Sequence, residues 1–205
     1  MISDIQGPWD DVMITLPDTE MVRKAWKYAA RAHASINQLR DYTNEPYIIH
    51  PVQVAAMVMT VEHDEAMICA ALLHDVPEDL HVSPDVLLPE FGKEITEYVN
   101  WLTKPSRNMV AKNNYEERAK VDRDYLAQAP GKVQTIKVCD IILNCSSMII
   151  HNPGYEKKYG YLKKYLNKNR KLIAAMTKAD PILVSQANKI FEDFFNENQV
   201  MAMSP

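Results

Sequence analysis

An uninterrupted apolar run that closes on charged residues constrains this chain more than any other feature. Residues 66–73 are all apolar and lead directly into His74 and Asp75. Two more acids, Glu78 and Asp79, come one turn later. A helix that is apolar on every side is a buried helix, and charged groups at its end are costly unless they are paired or bind a metal ion. The run therefore predicts a buried helix that carries an imidazole and a carboxylate into a metal centre.

The scarcity of glycine and the absence of strand patterns favour a helical fold. The 205 residues include only 5 glycines, which argues against an architecture rich in glycine turns. No stretch alternates apolar and polar residues as a half-buried strand does. Because the length favours one domain, we predict a single all-α domain over residues 19–195. An N-terminal extension over residues 1–18 and a C-terminal tail over residues 196–205 would flank it.

Charge, hydropathy and cysteine usage limit the partners of the chain. The net charge of −4 leaves no electrostatic footprint for duplex nucleic acid. No segment reaches the roughly 18 uninterrupted apolar residues of a membrane span, and the N-terminus lacks a signal-peptide pattern. The cysteines, Cys69, Cys139 and Cys145, have no paired spacing and are typical of reduced core thiols. We expect a cytoplasmic protein that binds a small molecule and neither duplex nucleic acid nor a membrane; the sequence leaves its oligomeric state open.

Capping residues and prolines set the predicted helix boundaries. Thr19 caps a first helix that runs to about His33, and Asp64 caps the buried helix. The polar stretch 38–46 is a loop, and Ser83 begins a further short helix. Other helices are predicted over residues 52–61, 95–102, 115–129, 133–150, 155–176 and 181–195.

Four residues that lie far apart in the sequence offer metal ligands: His50, His74, Asp75 and Asp140. Asp140 lies within the apolar segment 136–143, where a carboxylate needs a partner. Two imidazoles and two carboxylates suit Mn²⁺, Fe²⁺ or Zn²⁺ better than Ca²⁺ or Mg²⁺. An open position on such an ion would bind water and lower the pKa of that water toward neutrality, which produces a hydroxide nucleophile.

Each of these residues also has an ordinary structural interpretation. His50 alone is more often a structural or surface histidine, and His74 alone could be a histidine at a helix C-terminus. Asp140 alone could be the buried ion-pair partner of Lys137 or Arg118. The combination, and not any single residue, favours a metal.

Three motifs follow one another along the chain. The first is Y-I-I-H-P at residues 47–51, and the second is A-L-L-H-D-V-P-E-D at residues 71–79. The third is K-V-C-D at residues 137–140, with Asn144 four residues after the aspartate. In this order they resemble the HD-domain phosphohydrolase superfamily, and more narrowly its (p)ppGpp hydrolase branch, which includes the small alarmone hydrolases. The resemblance extends from about residue 21 to about residue 195.

The resemblance implies a helical HD-domain bundle, an activity and a metal. It implies an Mn²⁺ ion, whose ligands are His50, His74, Asp75 and Asp140. It also implies that Glu78 and Asp79 are catalytic, because they orient the attacking water and handle protons. Hydrolysis in this family removes pyrophosphate from the ribose 3′ position of a guanine nucleotide, an alarmone of the stringent response. We expect the chain to act without a fused synthetase domain.

Three further residues are candidates for binding the substrate. Arg40 lies in the loop before Tyr47, in a Q-L-R segment that resembles the family's Q-x-R, and a guanidinium there could grip a phosphate. It could equally be a solvated loop arginine. Asn144 shares a helix face with Asp140 and matches a nucleotide-contacting asparagine of the family. Lys137 could support the site or pair with a carboxylate.

Two positions depart from the family pattern and leave the substrate open. Ile141 stands where a basic residue is usual, and Ser146 stands where an arginine is usual. The same chemistry on another nucleotide, such as a dNTP, a nucleoside monophosphate or NADPH, is therefore an alternative. A catalytically silent HD domain that binds a nucleotide is a second alternative.

Overall fold

In the part of the chain that is described, the regular secondary structure elements are helices. The computed structural model describes residues 16–109, 115–151 and 159–202, and within them Leu39 and Pro46 form an isolated β-bridge. The all-α prediction is confirmed. The helices are α1 (Glu20–Ser35), α2 (Ile49–Val58), α3 (Glu65–Leu73), α4 (Val76–Asp79), α5 (Leu88–Leu102), α6 (Tyr115–Leu126), α7 (Gly131–Ile150), α8 (Tyr159–Ala175) and α9 (Pro181–Ala202), with 3₁₀ turns at Pro84–Leu87 and Pro105–Asn108.

Side-chain caps begin the two helices that matter most for the site. Thr19 Oγ1 accepts a hydrogen bond of 3.2 Å from the backbone N–H of Val22 at the start of α1. Asp64 Oδ1 accepts one of 2.9 Å from the backbone N–H of Met67 at the start of α3. Each cap satisfies a backbone donor that has no partner inside the helix. Both predicted caps are confirmed.

Some helix boundaries differ from the predicted ones. α2 begins at Ile49 and not at residue 52. Pro51 can lie inside its first turn, because the N–H that proline lacks has no hydrogen-bond partner there in any case. α5 joins two predicted helices, but Gly92 breaks it with φ 74° and ψ 178°, a conformation that favours glycine. α9 continues to Ala202, past the predicted end at residue 195. The domain boundaries themselves stay a prediction, and residues 1–15, 110–114, 152–158 and 203–205 of the predicted segments lie outside the described residues.

The first of two compact units ends at Lys104 and has α3 at its centre. α3 packs against α1, α2 and α5. Its residues from Met67 to Leu73 are only 0–1 % exposed, which confirms the predicted buried helix. Burial of one such leucine side chain contributes about 1.5–3 kcal/mol. The end of α3 is therefore a rigid point from which His74 projects.

The second compact unit begins at Pro105. Within it α7 packs against α8 and α9, and α6 packs against α8. α7 is long and apolar enough to cross a membrane by length and composition, yet 61 % of its most apolar window is buried in the structure, as in the core helix of a soluble protein.

Candidate metal centre

The last turn of α3 orients the ring of His74. Nδ1 of His74 donates a hydrogen bond of 2.8 Å to the carbonyl oxygen of Ala71, and the side chain is buried. Because Nδ1 carries the hydrogen, Nε2 of the neutral ring presents a lone pair. A backbone carbonyl that holds one ring nitrogen while the other faces the ion is the usual support of a histidine ligand.

Asp75 lies beside the imidazoles of His50 and His74. Its Oδ2 lies 3.1 Å from Nε2 of His74 and 3.7 Å from Nε2 of His50. The phenol of Tyr47 donates a hydrogen bond of 2.7 Å to the same oxygen. The ring centroids of His50 and His74 are 5.4 Å apart. The structure thus brings three of the predicted ligands together, from α2 and from the end of α3.

The chemistry of these donors fits a divalent cation. With its hydrogen on Nδ1, a neutral His74 turns a lone pair toward a carboxylate oxygen at 3.1 Å, and two lone pairs repel each other. A cation beside both atoms, or a proton on the ring, removes the repulsion. Ligand atoms of His50 and His74 lie within 4.8 Å of one another. Two imidazole nitrogens this close to each other are candidates for binding the same ion.

A glutamine links Asp79 to the C-terminal end of α1. Nε2 of Gln38 donates a hydrogen bond of 2.8 Å to Oδ2 of Asp79, and Oε1 of Gln38 accepts one of 2.7 Å from Nδ1 of His33. Burial raises the pKa of Asp79, and repulsion from Asp75 adds to the effect. Burial also lowers the pKa of His33. A carboxyl group with a raised pKa is better suited to proton transfer near neutral pH.

Glu78 is anchored to Lys104, the second residue after the end of α5. Its Oε1 accepts a hydrogen bond of 2.6 Å from the backbone N–H of Lys104, and its Oε2 lies 2.6 Å from Nζ of the same lysine. Both oxygens of Glu78 are thus engaged. Asp79 differs, because within the described residues no donor reaches its Oδ1.

Three predicted residues form a hydrogen-bonded group on α7 in the second unit. Nζ of Lys137 donates a hydrogen bond of 2.7 Å to Oδ2 of Asp140, and Nδ2 of Asn144 donates one of 2.6 Å to Oδ1. Lys137 and Asp140 are 6 % and 5 % exposed. The structural interpretation of Asp140, a buried ion pair with Lys137, is therefore realised. Because each carboxylate oxygen has a second lone pair, the ion pair leaves Asp140 able to bind a cation.

Arg40 lies against Tyr47 in the loop between α1 and α2. Its guanidinium carbon is 5.8 Å from the centroid of the Tyr47 ring, a cation–π distance. The loop is closed by a hydrogen bond of 2.7 Å from the backbone N–H of Arg40 to the carbonyl of Glu45. Tyr47 thus contacts both Arg40 and Asp75.

Four residues that were not predicted as site residues lie in the site. The position of His33 at the end of an apolar helix face is a weak signal of its role. For Tyr47, the spacing of the Y-I-I-H-P motif is a signal. The glutamine and the lysine act over long sequence separations, which no local pattern reveals. The four residues are His33, Gln38, Tyr47 and Lys104.

Residues 25–144 match the family described as HD domain, which is more than half of the chain. This chain belongs to the HD-domain family. The match includes all four predicted metal ligands of the HD domain. The resemblance inferred from the three motifs is confirmed.

Relatives of this HD domain are known from several bacteria. A protein of Synechocystis sp., named probable guanosine-3′,5′-bis(diphosphate) 3′-pyrophosphohydrolase, is 32 % identical over 139 residues, which cover 67 % of this chain and 18 % of that protein. A Vibrio cholerae protein, named guanosine-3′,5′-bis(diphosphate) 3′-pyrophosphohydrolase, is 40 % identical over 91 residues, 44 % of this chain and 12 % of that protein. A Myxococcus xanthus protein named GTP pyrophosphokinase is 38 % identical over 91 residues, again 44 % of this chain and 12 % of that protein. The chain thus spans less than a fifth of the length of these curated relatives.

Solved structures share the fold of this HD domain. A metazoan orthologue of SpoT, described as hydrolysing ppGpp, superimposes with a TM-score of 0.74 at 22 % identity, over 86 % of this chain and 97 % of that one. A Listeria monocytogenes protein superimposes with a TM-score of 0.57 at 20 % identity, over 72 % of this chain and 99 % of that one. At such identities the likeness shows the helical fold alone.

Proposed function

We propose that this HD domain is a metal-dependent phosphohydrolase that removes pyrophosphate from the ribose 3′ position of guanosine 3′,5′-bis(diphosphate). One observation carries the proposal: at the end of a buried helix, Nε2 of His74 and Oδ2 of Asp75 face each other at 3.1 Å, with His50 beside them. The relatives named 3′-pyrophosphohydrolases support the substrate class.

The metal in this proposal is Mn²⁺, and its ligands are His50, His74, Asp75 and Asp140. A set of two nitrogen and two carboxylate donors supports a transition ion over Mg²⁺ or Ca²⁺. The family match, which continues to residue 144, supports the inclusion of Asp140. When bound, the cation would polarise a phosphoryl oxygen and lower the pKa of the attacking water.

Asp79 is the proton-transfer residue in this proposal. Gln38 holds its Oδ2, so that Oδ1 can accept a proton from the water as the water oxygen attacks phosphorus. The bond from the ribose 3′ oxygen to phosphorus breaks, and the proton passes to that oxygen. The products from ppGpp are GDP and pyrophosphate. Glu78 would position the water. Because its two oxygens bind Lys104, it would also hold the segment that follows α5 beside the site.

Cationic and amide side chains would hold the nucleotide. Arg40 would bind a phosphate through the paired donors of its guanidinium, steadied by the Tyr47 ring. Lys137 and Asn144 would contact the substrate from α7. We further infer a cytoplasmic location, which the three free and buried cysteines support, since thiols persist in a reducing compartment.

Turnover by the purified protein tests the proposal. With Mn²⁺ it should convert ppGpp to GDP and pyrophosphate, and Asp75→Ala should reduce the rate at least about a thousandfold, because a metal ligand is lost. Asp85→Ala, which removes an exposed aspartate of the 3₁₀ turn, is the matched control and should keep the wild-type rate. Full activity after chelation, or equal rates for Asp75→Ala and wild type, would contradict the proposal.

The position after Asp140 favours a second candidate substrate. Ile141 is only 2 % exposed, and it stands where the family usually has a basic residue. A substrate with fewer phosphate charges than ppGpp would need less positive charge there. A panel of dNTPs, nucleoside monophosphates and NADPH decides between the two: phosphate release from one of these without ppGpp turnover would favour the second candidate. Stoichiometric binding without any turnover would instead identify a silent nucleotide-binding domain.

A further inference from the structure

A second concave surface lies on α1 within the first unit. A cavity of about 660 Å³ lies between α1 and the start of α5, within the range of about 300–1,000 Å³ that small-molecule sites occupy. None of the residues that line it is a predicted metal ligand. Its charged lining residues are Glu20, Arg23, Lys24, Lys27, Arg31 and Glu90. Four positive and two negative groups give this cavity a net charge of +2, in a chain whose net charge is −4.

Two of the four cations already form ion pairs. Nζ of Lys24 donates a hydrogen bond of 2.7 Å to the carbonyl oxygen of Glu90 and lies 2.8 Å from its carboxylate. This lysine therefore ties α1 to α5. Arg23 pairs with the carboxylate of Asp18.

In the part of the chain that the structure describes, the other two cations have no such partner. Among the described residues, neither Lys27 nor Arg31 forms an ion pair. They are four residues apart on α1 and so face the same side, where like charges repel each other. Tyr28, between them in sequence, also lines the cavity and packs edge-on against Phe91, with ring centroids 5.3 Å apart. The cavity thus has an aromatic wall beside two positive charges that pair with no carboxylate of the described residues.

We propose that this cavity binds a phosphate-bearing small molecule, with Lys27 and Arg31 as the ligands of its phosphate. A guanidinium pairs two N–H donors with phosphate oxygens, and a lysine adds a point charge. An anion there would also relieve the repulsion between the two cations. The volume exceeds that of a lone phosphate, and the Tyr28 ring offers an apolar surface for the remainder of the ligand. The cavity contains none of the candidate metal ligands, and the proposed binding does not depend on catalysis.

Binding to metal-free protein tests the proposal. The Asp75→Ala full-length chain, dialysed free of metal, is titrated calorimetrically with inorganic phosphate, pyrophosphate and GDP at low salt. We expect saturable binding to one site, and a dissociation constant that rises at least about tenfold in the double variant Lys27→Ala with Arg31→Ala, since each charge-assisted contact is lost. Tighter binding of GDP than of phosphate would show that the whole nucleotide is recognised, and equal binding would show that the phosphate alone is.

A matched control removes the same charge elsewhere. Lys93→Ala with Lys189→Ala deletes two exposed helical lysines outside the cavity, and it should leave the dissociation constant unchanged. The proposal is overturned by the absence of saturable binding for all three probes, or by equal weakening in the control, which would indicate diffuse attraction. Backbone NMR of the unmutated cavity gives an independent measurement, because the amide signals of Tyr28 and Ala32 should shift with each bound probe. Unshifted signals at saturation would equally refute the site.

Discussion

Tyr47 donates its phenolic hydrogen to Oδ2 of Asp75 across 2.7 Å. The same oxygen faces Nε2 of His74 and of His50, so one carboxylate oxygen is shared by a phenol and two imidazoles. Tyr47 precedes His50 by one turn, and their rings are 5.9 Å apart. The Y-I-I-H-P motif thus places the candidate ligand His50 and the phenol that binds the candidate ligand Asp75 at the same helix entrance.

Removing this phenol should weaken the metal centre without unfolding the protein. Tyr47→Phe keeps the ring but deletes the hydrogen bond to Asp75, and partners of metal ligands typically contribute about 10–100-fold in metal affinity. We expect the Mn²⁺ affinity to fall about tenfold or more, as measured by metal titration, with ppGpp hydrolysis restored at high Mn²⁺. Tyr98→Phe, which deletes a hydrogen bond to exposed Glu94, should leave the affinity unchanged. An unaltered affinity in Tyr47→Phe would show that the contact does not support the ion.

The bridge made by Gln38 should matter for turnover more than for substrate affinity. Gln38→Leu leaves Oδ2 of Asp79 and Nδ1 of His33 without their hydrogen-bond partner. We expect kcat to fall at least about tenfold with little change in KM, and the free energy of unfolding to fall by about 1–3 kcal/mol, because a buried donor loses its acceptor. Steady-state kinetics and urea denaturation measure the two effects. Gln128→Leu, whose amide bonds an exposed carbonyl, is the control. Lower stability with normal kcat would assign Gln38 a purely structural role.

Features that depend on neighbouring residues could be predicted from the sequence. The cap of α3 joins Asp64 to the amide three residues later, and the burial of α3 follows from its apolar composition alone. The break at Gly92 falls where a glycine interrupts the apolar pattern. The cap and the apolar composition of α3 together predict where His74 and Asp75 emerge from the core.

Contacts between distant segments could not be predicted in this way. Gln38 and Asp79 are 41 residues apart, and Lys104 and Glu78 are 26 residues apart. Each contact depends on how α1 and α5 pack around α3, and a polar loop residue gives no local sign of the carboxylate it will reach. The sequence therefore gives the candidate ligands, whereas the hydrogen bonds of Asp79 and Glu78 required the structure.

Acid should destabilise the protein through His33. Burial lowers the pKa of His33 below its ordinary value of 6.5, so the folded protein favours the neutral ring. The unfolded chain then binds more protons, and the stabilisation that is complete above pH 6.5 is lost as the pH falls through the lower folded pKa. The limiting slope for one group is about 1.4 kcal/mol per pH unit. Urea denaturation of wild type and His33→Gln between neutral and acidic pH should show a shallower loss in the variant. Parallel curves would remove His33 from the acid response.

The three cysteines should resist modification until the protein unfolds. Burial raises the pKa of the Cys69, Cys139 and Cys145 thiols to about 12 each. Since the thiolate is the reactive form, only about one thiol in ten thousand would be ionised at mildly alkaline pH, even with free access to reagent. Cys69 lies in α3 of the first unit, and the other two lie in α7 of the second. Alkylation followed by mass spectrometry along a urea titration should therefore label each cysteine only as its own unit unfolds, with the helical circular dichroism signal as reference. Rapid labelling of any one of them in the native protein would show that its helix opens locally.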